Sequence, residues 1–201
     1  MLGASAPLRN ANDDDGWAAG WAATTSLQAA PWEEMVHRPL TVIFLDIDGV
    51  ICTNSKGKPI VRDVLLEQLK RIVLACDAKV VLSTDWRRIS YRKELAERKL
   101  ACKGIECVGA TPYSRILRQD ANVRPKEIAA WLSEHGRNVT SWMAIDDRLL
   151  TDEVGGDFVV GHCVTTEFSE GLTAERADEA IQLLQGHEVW RVQRMTAQKS
   201  W

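Results

Sequence analysis

A few residues in this chain carry chemistry that their neighbours do not explain. Asp46 and Asp48 stand one residue apart at the end of an apolar run, in "TVIFLDIDGVI" from Thr41 to Ile51. Ser83 follows "KVVL", and the pair Asp146 and Asp147 follows "SWMAI". One strand that ends in Asp usually makes a turn or caps a helix. Three strands ending in polar or acidic residues on one sheet edge need a further reason. Clustered carboxylates repel one another, so they require a cation or raised pKa values. The set offers oxygen ligands with no His or Cys, so the expected cation is hard, with Mg²⁺ the default. Mg²⁺ keeps several waters and takes one or two carboxylates plus a substrate phosphate, which points to phosphoryl transfer.

Those residues share an edge only if the chain folds as alternating strands and helices, and from Thr41 onward the pattern says that it does. "TVIFL", "KVVLS", "IECVG", "SWMAI" and "DFVV" are short and apolar, and each reads as a strand. "VRDVLLEQLKRIVLACDA" places Val61, Leu65, Leu69, Ile72 and Val73 on one helical face. "RRISYRKELAERKLA" reads as a polar helix. "RPKEIAAWLSEHG" is a helix with Pro125 in its first turn and Gly136 as its stop. "TAERADEAIQLLQ" closes the series, with Thr173 as N-cap. The expected fold is α/β: a three-layer, Rossmann-like arrangement of a parallel sheet with helices on both faces. In such folds ligands bind beyond the carboxyl ends of the strands, where these acids stand.

The rest of the composition narrows the classes. The chain of 201 residues is 45% hydrophobic and 26% charged, with a net charge of -3. That supplies no broad basic footprint for nucleic acid, although a local patch is compatible with it. No apolar run reaches the ~20 residues of a membrane helix, and no secretory signal is read at the N-terminus. The five cysteines include no CxxC pair and suit buried thiols in a reducing compartment, so a cytoplasmic protein is expected. Residues 1–38 are rich in Ala, Gly, Asn, Asp and Ser without periodicity. They read as a disordered or loosely docked extension, in which Trp17, Trp21 and Trp32 are candidates for docking on the domain of residues 39–201.

Four motifs in order carry a resemblance. "DIDGV", "VVLS", "RPKEI" and "MAIDD" resemble the four signature motifs of haloacid dehalogenase-like (HAD) hydrolases, over about residues 40 to 186. "STDWRR", "RPKEIAAWL", "AIDD" and "EFSEGLTAERADEAIQLL" are similar, more narrowly, to the HAD domain found in RNA-repair proteins. The resemblance implies a Mg²⁺-dependent phosphatase acting on a phosphate monoester through an aspartyl-phosphate. Asp46 would be the nucleophile, and Asp48 the general acid and then the base. Asp46, the backbone carbonyl of Asp48 and Asp146 would hold the metal, with Asp147 ligating directly or through water. Ser83, or Thr84 beside it, would bind a phosphate oxygen. Arg124 or Lys126 would supply the basic partner. Trp86 and Arg87 follow the second motif directly. They either border the site, stacking a base and clamping a phosphate, or simply pack. Asp152 either orients a metal ligand or caps a turn, and His162 reads as structural.

Spacing bears on the substrate. HAD proteins that enclose small substrates carry a cap domain after the first motif or between the second and third. Neither "CTNSKGKPI" nor the stretch from Trp86 to Arg124 has room for a sizeable cap domain. An open site suits a bulky phosphorylated substrate, such as an RNA or DNA end or a phosphoprotein. The loop before the third motif, with Arg115, Arg118 and Arg124, is either a polyanion contact or a solvated loop. Two other functions compete: a catalytically weak phosphate- or nucleic-acid-binding module on the same fold, and a scaffold that recruits a partner through its N-terminal tail. A binder has no use for Asp48, which favours the enzyme.

Overall fold

The computed structural model describes residues 39–55, 58–113 and 123–198. The expected extension over residues 1–38, with its tryptophans, and the arginines at 115 and 118 lie outside them. Seven strands and four α-helices follow one another among the described residues. They are β1 (Leu40–Leu45), β2 (Cys52–Ser55), β3 (Lys58–Val61), α1 (Asp63–Cys76), β4 (Ala78–Leu82), α2 (Ser90–Cys102), β5 (Cys107–Ala110), α3 (Arg124–His135), β6 (Val139–Asp146), β7 (Cys163–Thr165) and α4 (Ala174–Gln198). Short 3-10 turns at Asp85–Arg88 and Leu150–Asp152 follow β4 and β6.

Five strands form one sheet in the order β5-β4-β1-β6-β7, and every pairing is parallel. Strand β1 is central because both its faces are apolar. Val42 and Phe44 point to one side, where they meet Val81, Ala144, and Ile128 and Trp131 of α3. Ile43 and Leu45 point to the other, where they join Val80, Leu82 and Met143 under Leu66, Leu69 and Ile72 of α1 and Ala177, Ala180 and Leu184 of α4. The period of two in a strand divides its side chains between two helical layers. Each fully buried Leu, Ile or Phe contributes about 1.5–3 kcal/mol of transfer free energy.

Three local features depart from the sequence reading. The segment around "CTNSKGKPI" pairs β2 with β3 as an antiparallel hairpin, where only a connector was expected. "DFVV" is not a strand: Gly156–Val159 is a 3-10 turn, and the last strand is Cys163–Thr165. The expected closing helix runs on to Gln198, past Gly186. Its start matches expectation, because the Thr173 hydroxyl accepts from the Arg176 N–H at 3.3 Å. No helix among the described residues is long and apolar enough to cross a membrane.

Candidate active site

The parallel ladder brings the three strand ends side by side. The Asp46 N–H donates to the Ile145 carbonyl at 3.0 Å, and the Ser83 N–H donates to the Leu45 carbonyl at 2.8 Å. Asp46 is therefore flanked by the residues that end β4 and β6. After Asp48 the chain turns at Gly49, whose φ is +71°. A Cβ at Gly49 would stand 2.6 Å from the Cβ of Asp147. Only glycine adopts that φ without strain and leaves the space that Asp147 occupies. The Thr166 hydroxyl then fixes the turn by donating to the Gly49 carbonyl at 2.8 Å.

The carboxylates converge. Asp46, Asp146 and Asp147 each place an oxygen within 4.8 Å of the others, and Asp46 and Asp146 are buried. Arg124, at the start of α3, lies between two of them. One of its terminal nitrogens is 3.0 Å from Asp46 Oδ2 and 2.5 Å from Asp146 Oδ2. Burial pushes the Asp46 carboxyl up to about 7; Arg124 opposes this, Asp146 adds to it, and a hydrogen bond from the Thr84 hydroxyl opposes it. Burial also raises Asp147, with Asp146 contributing. Burial alone would discourage the charge on Arg124, but Asp46 and Asp146 outweigh it and hold the guanidinium more firmly protonated than usual.

These residues fit a hard divalent cation. The donors are all oxygen, they are crowded beyond what Arg124 and Arg148, the latter 3.5 Å from Asp146, neutralise, and they stand at one edge. Beside them the buried hydroxyl of Ser83 has no hydrogen-bond partner among the described residues. Such an orphan costs about 1–3 kcal/mol, which a bound oxyanion would relieve. Thr84 is differently used, since its hydroxyl also accepts from the Trp86 N–H at 3.3 Å.

The other sequence candidates separate clearly. Lys126 is exposed and its stem lies against Gly155, whereas Arg124 reaches the acids. Trp86 is buried, and its indole N–H donates to Asp48 Oδ2 at 2.8 Å, so it holds a candidate catalytic carboxylate. The Arg87 guanidinium is enclosed. It is 2.6 Å from Glu127 Oε2, donates to the Thr111 carbonyl at 3.0 Å and also bonds the Thr84 carbonyl. That geometry is a packing tie between the turn after β4 and the start of α3. Asp152 is exposed in its 3-10 turn, and His162 stacks on Trp142 with 4.1 Å between ring centroids.

One carboxylate, Glu153, escaped the sequence reading, and a second, Glu127, which reads as a solvated first-turn residue, is buried. Glu153 accepts from the Arg124 N–H at 3.0 Å and lies 3.2 Å from an Arg148 nitrogen. It anchors the first turn of α3, where an acid also suits the helix dipole. Glu127 does similar work through Arg87. Neither follows an apolar strand, so only their place in acid-rich and helix-start segments could have signalled them.

The sequence over residues 42–177 matches the family described as the HAD domain in Swiss Army Knife RNA repair proteins. No curated protein matches. Among solved structures the chain is similar to a D,D-heptose 1,7-bisphosphate phosphatase from B. bronchiseptica, complexed with magnesium and phosphate. That similarity has 19% identity and a TM-score of 0.45, covering 73% of this chain and 99% of that one.

Proposed function

Because the chain belongs to the family of HAD domains in Swiss Army Knife RNA repair proteins, we propose that it is a Mg²⁺-dependent phosphatase that hydrolyses a terminal phosphate monoester on a bulky substrate, a nucleic-acid end first among these. The observation that carries this reading is the meeting of Asp46, Asp146 and Asp147 within 4.8 Å at the carboxyl edge of the sheet.

Asp46 attacks phosphorus, the bond to the ester oxygen breaks, and Asp48 gives that oxygen its proton. Water then attacks the aspartyl-phosphate while Asp48 takes a proton from it, releasing phosphate and restoring Asp46. Two anions must approach for this: one like-charge pair at ~4 Å and an effective dielectric near 20 costs ~4 kcal/mol. Asp46, Asp146, Asp147 and the Asp48 carbonyl would hold Mg²⁺, whose positive charge would offset this repulsion. Ser83 donates its unpartnered hydroxyl to a phosphoryl oxygen. Arg124 orients Asp46 and contributes a second positive charge. Trp86 holds Asp48 toward the leaving oxygen.

The described residues insert no more than the β2–β3 hairpin between β1 and α1, which favours an open site and a substrate with bulk of its own. The test is turnover of an aryl phosphate with Mg²⁺ and after chelation. Turnover that needs the metal is expected, and equal rates in both conditions would refute the reading.

A further inference from the structure

Beyond Trp86, on the Asp48 side of the site, lies a cleft of about 520 Å³ lined by Asp85, Arg88, Ile89, Arg92 and Tyr113. It is built by the 3-10 turn after β4, the first turn of α2 and the chain just past β5. Trp86 joins it to the chemistry. Its indole N–H bonds Asp48, and the Arg92 guanidinium lies over its ring at 5.7 Å from the centroid. Across the cleft Arg88 lies over the Tyr113 ring at 4.5 Å. Among the described residues Asp48, held by Trp86, acts on Arg92, and Asp85, mostly exposed, stands 3.6 Å from Arg88. An exposed pair at that separation neutralises little. The cleft is cationic and flat-walled.

We propose that this cleft is the leaving-group subsite, and that it receives the last nucleotides of a single-stranded nucleic acid. The proposal rests on the phosphatase reading above, because Asp48 protonates the leaving oxygen and so fixes the side on which the alcohol portion lies. An alcohol that meets two arginines there carries an anion of its own near the ester. One that meets Tyr113 and the guanidinium groups lying over these rings carries a flat ring. Unpaired bases stack on aromatic rings and on arginine planes, and phosphodiesters pair with arginine. A phosphopeptide meets both requirements only where its own sequence sets an aromatic and an acidic residue beside the ester, whereas every nucleotide carries both a base and a phosphodiester, and an isolated sugar phosphate lacks the ring.

The test compares kcat/KM for a short oligonucleotide with a terminal phosphate against that for glycerol 3-phosphate, whose leaving group has no ring, in the full chain with Mg²⁺. The wild type should prefer the oligonucleotide. Tyr113→Ala should lower the oligonucleotide-to-glycerol-phosphate ratio about tenfold, and Tyr113→Phe should restore it. Arg88→Ala should reduce the dependence of log(kcat/KM) on log[salt] by about 0.7 for the oligonucleotide. Ratios unmoved by both alanine variants, or preference for a phosphopeptide, would overturn the subsite while leaving the phosphatase reading in place. A chain that turns over no phosphoester defeats the phosphatase reading instead. Anisotropy of a labelled oligonucleotide then decides the cleft alone: binding weakened by Arg88→Ala supports it, and equal binding rejects it.

Discussion

The chemistry of this chain is concentrated in pairs of side chains whose roles depend on who holds them. Asp46 is held by Thr84 and Arg124, and Asp48 by an indole N–H. Under the proposed function Trp86 is a positioning residue, and its effect separates from its packing. Trp86→Phe keeps most of the buried ring and deletes the hydrogen bond to Asp48. A hydrogen bond to a charged group contributes about 1.5–3 kcal/mol, equivalent to a loss of roughly ten- to a hundredfold in kcat. Steady-state kinetics should show that loss in kcat with KM little changed and the melting temperature nearly preserved. A fall in melting temperature with kcat intact would make Trp86 a packing residue only. The acids at 46, 48, 146 and 147 were legible from sequence because each follows an apolar strand directly. The indole's partner was not, since it stands 38 residues away and only the fold joins them.

Elements were legible where hydrophobic period and stop signals agreed. Strand β1 and helices α1 and α3 satisfy both conditions. "DFVV" does not, because three apolar residues after an aspartate fit a strand or a tight turn equally. Gly155 and Gly161, with φ of +86° and +75°, bracket the segment and close it into a turn. Phe158 and Val160 are left exposed there, which no buried strand would permit. The hairpin β2–β3 was hidden by polar residues that resemble a linker. Helix α4 passes Gly186 because a single helical glycine costs only about 1 kcal/mol. Helix α3 has the strictest task, since it carries Arg124 to the acids. Ile128 and Trp131 hold it on the sheet, Trp131 buried and edge-on to Phe44 at 5.4 Å between centroids. Trp131→Ala should cost about 3–5 kcal/mol in urea unfolding. A loss below about 1 kcal/mol would show that α3 is secured elsewhere.

The whole molecule separates support from chemistry: a parallel sheet buried on both faces, with the acids at one edge. Residues 39–201 are proposed to be sufficient for it. A fragment beginning at residue 39 should melt cooperatively within a few degrees of the full chain and turn over an aryl phosphate at a comparable rate. Loss of cooperative melting would assign residues 1–38 to the fold. Acid quenching during turnover of an aryl phosphate with Mg²⁺, followed by mass spectrometry of the peptide holding residues 46 and 48, reads the nucleophile itself. A phosphoryl adduct on Asp46, missing in Asp46→Asn together with all turnover, is the predicted result. An adduct on another residue, or sustained turnover by Asp46→Asn, would contradict it.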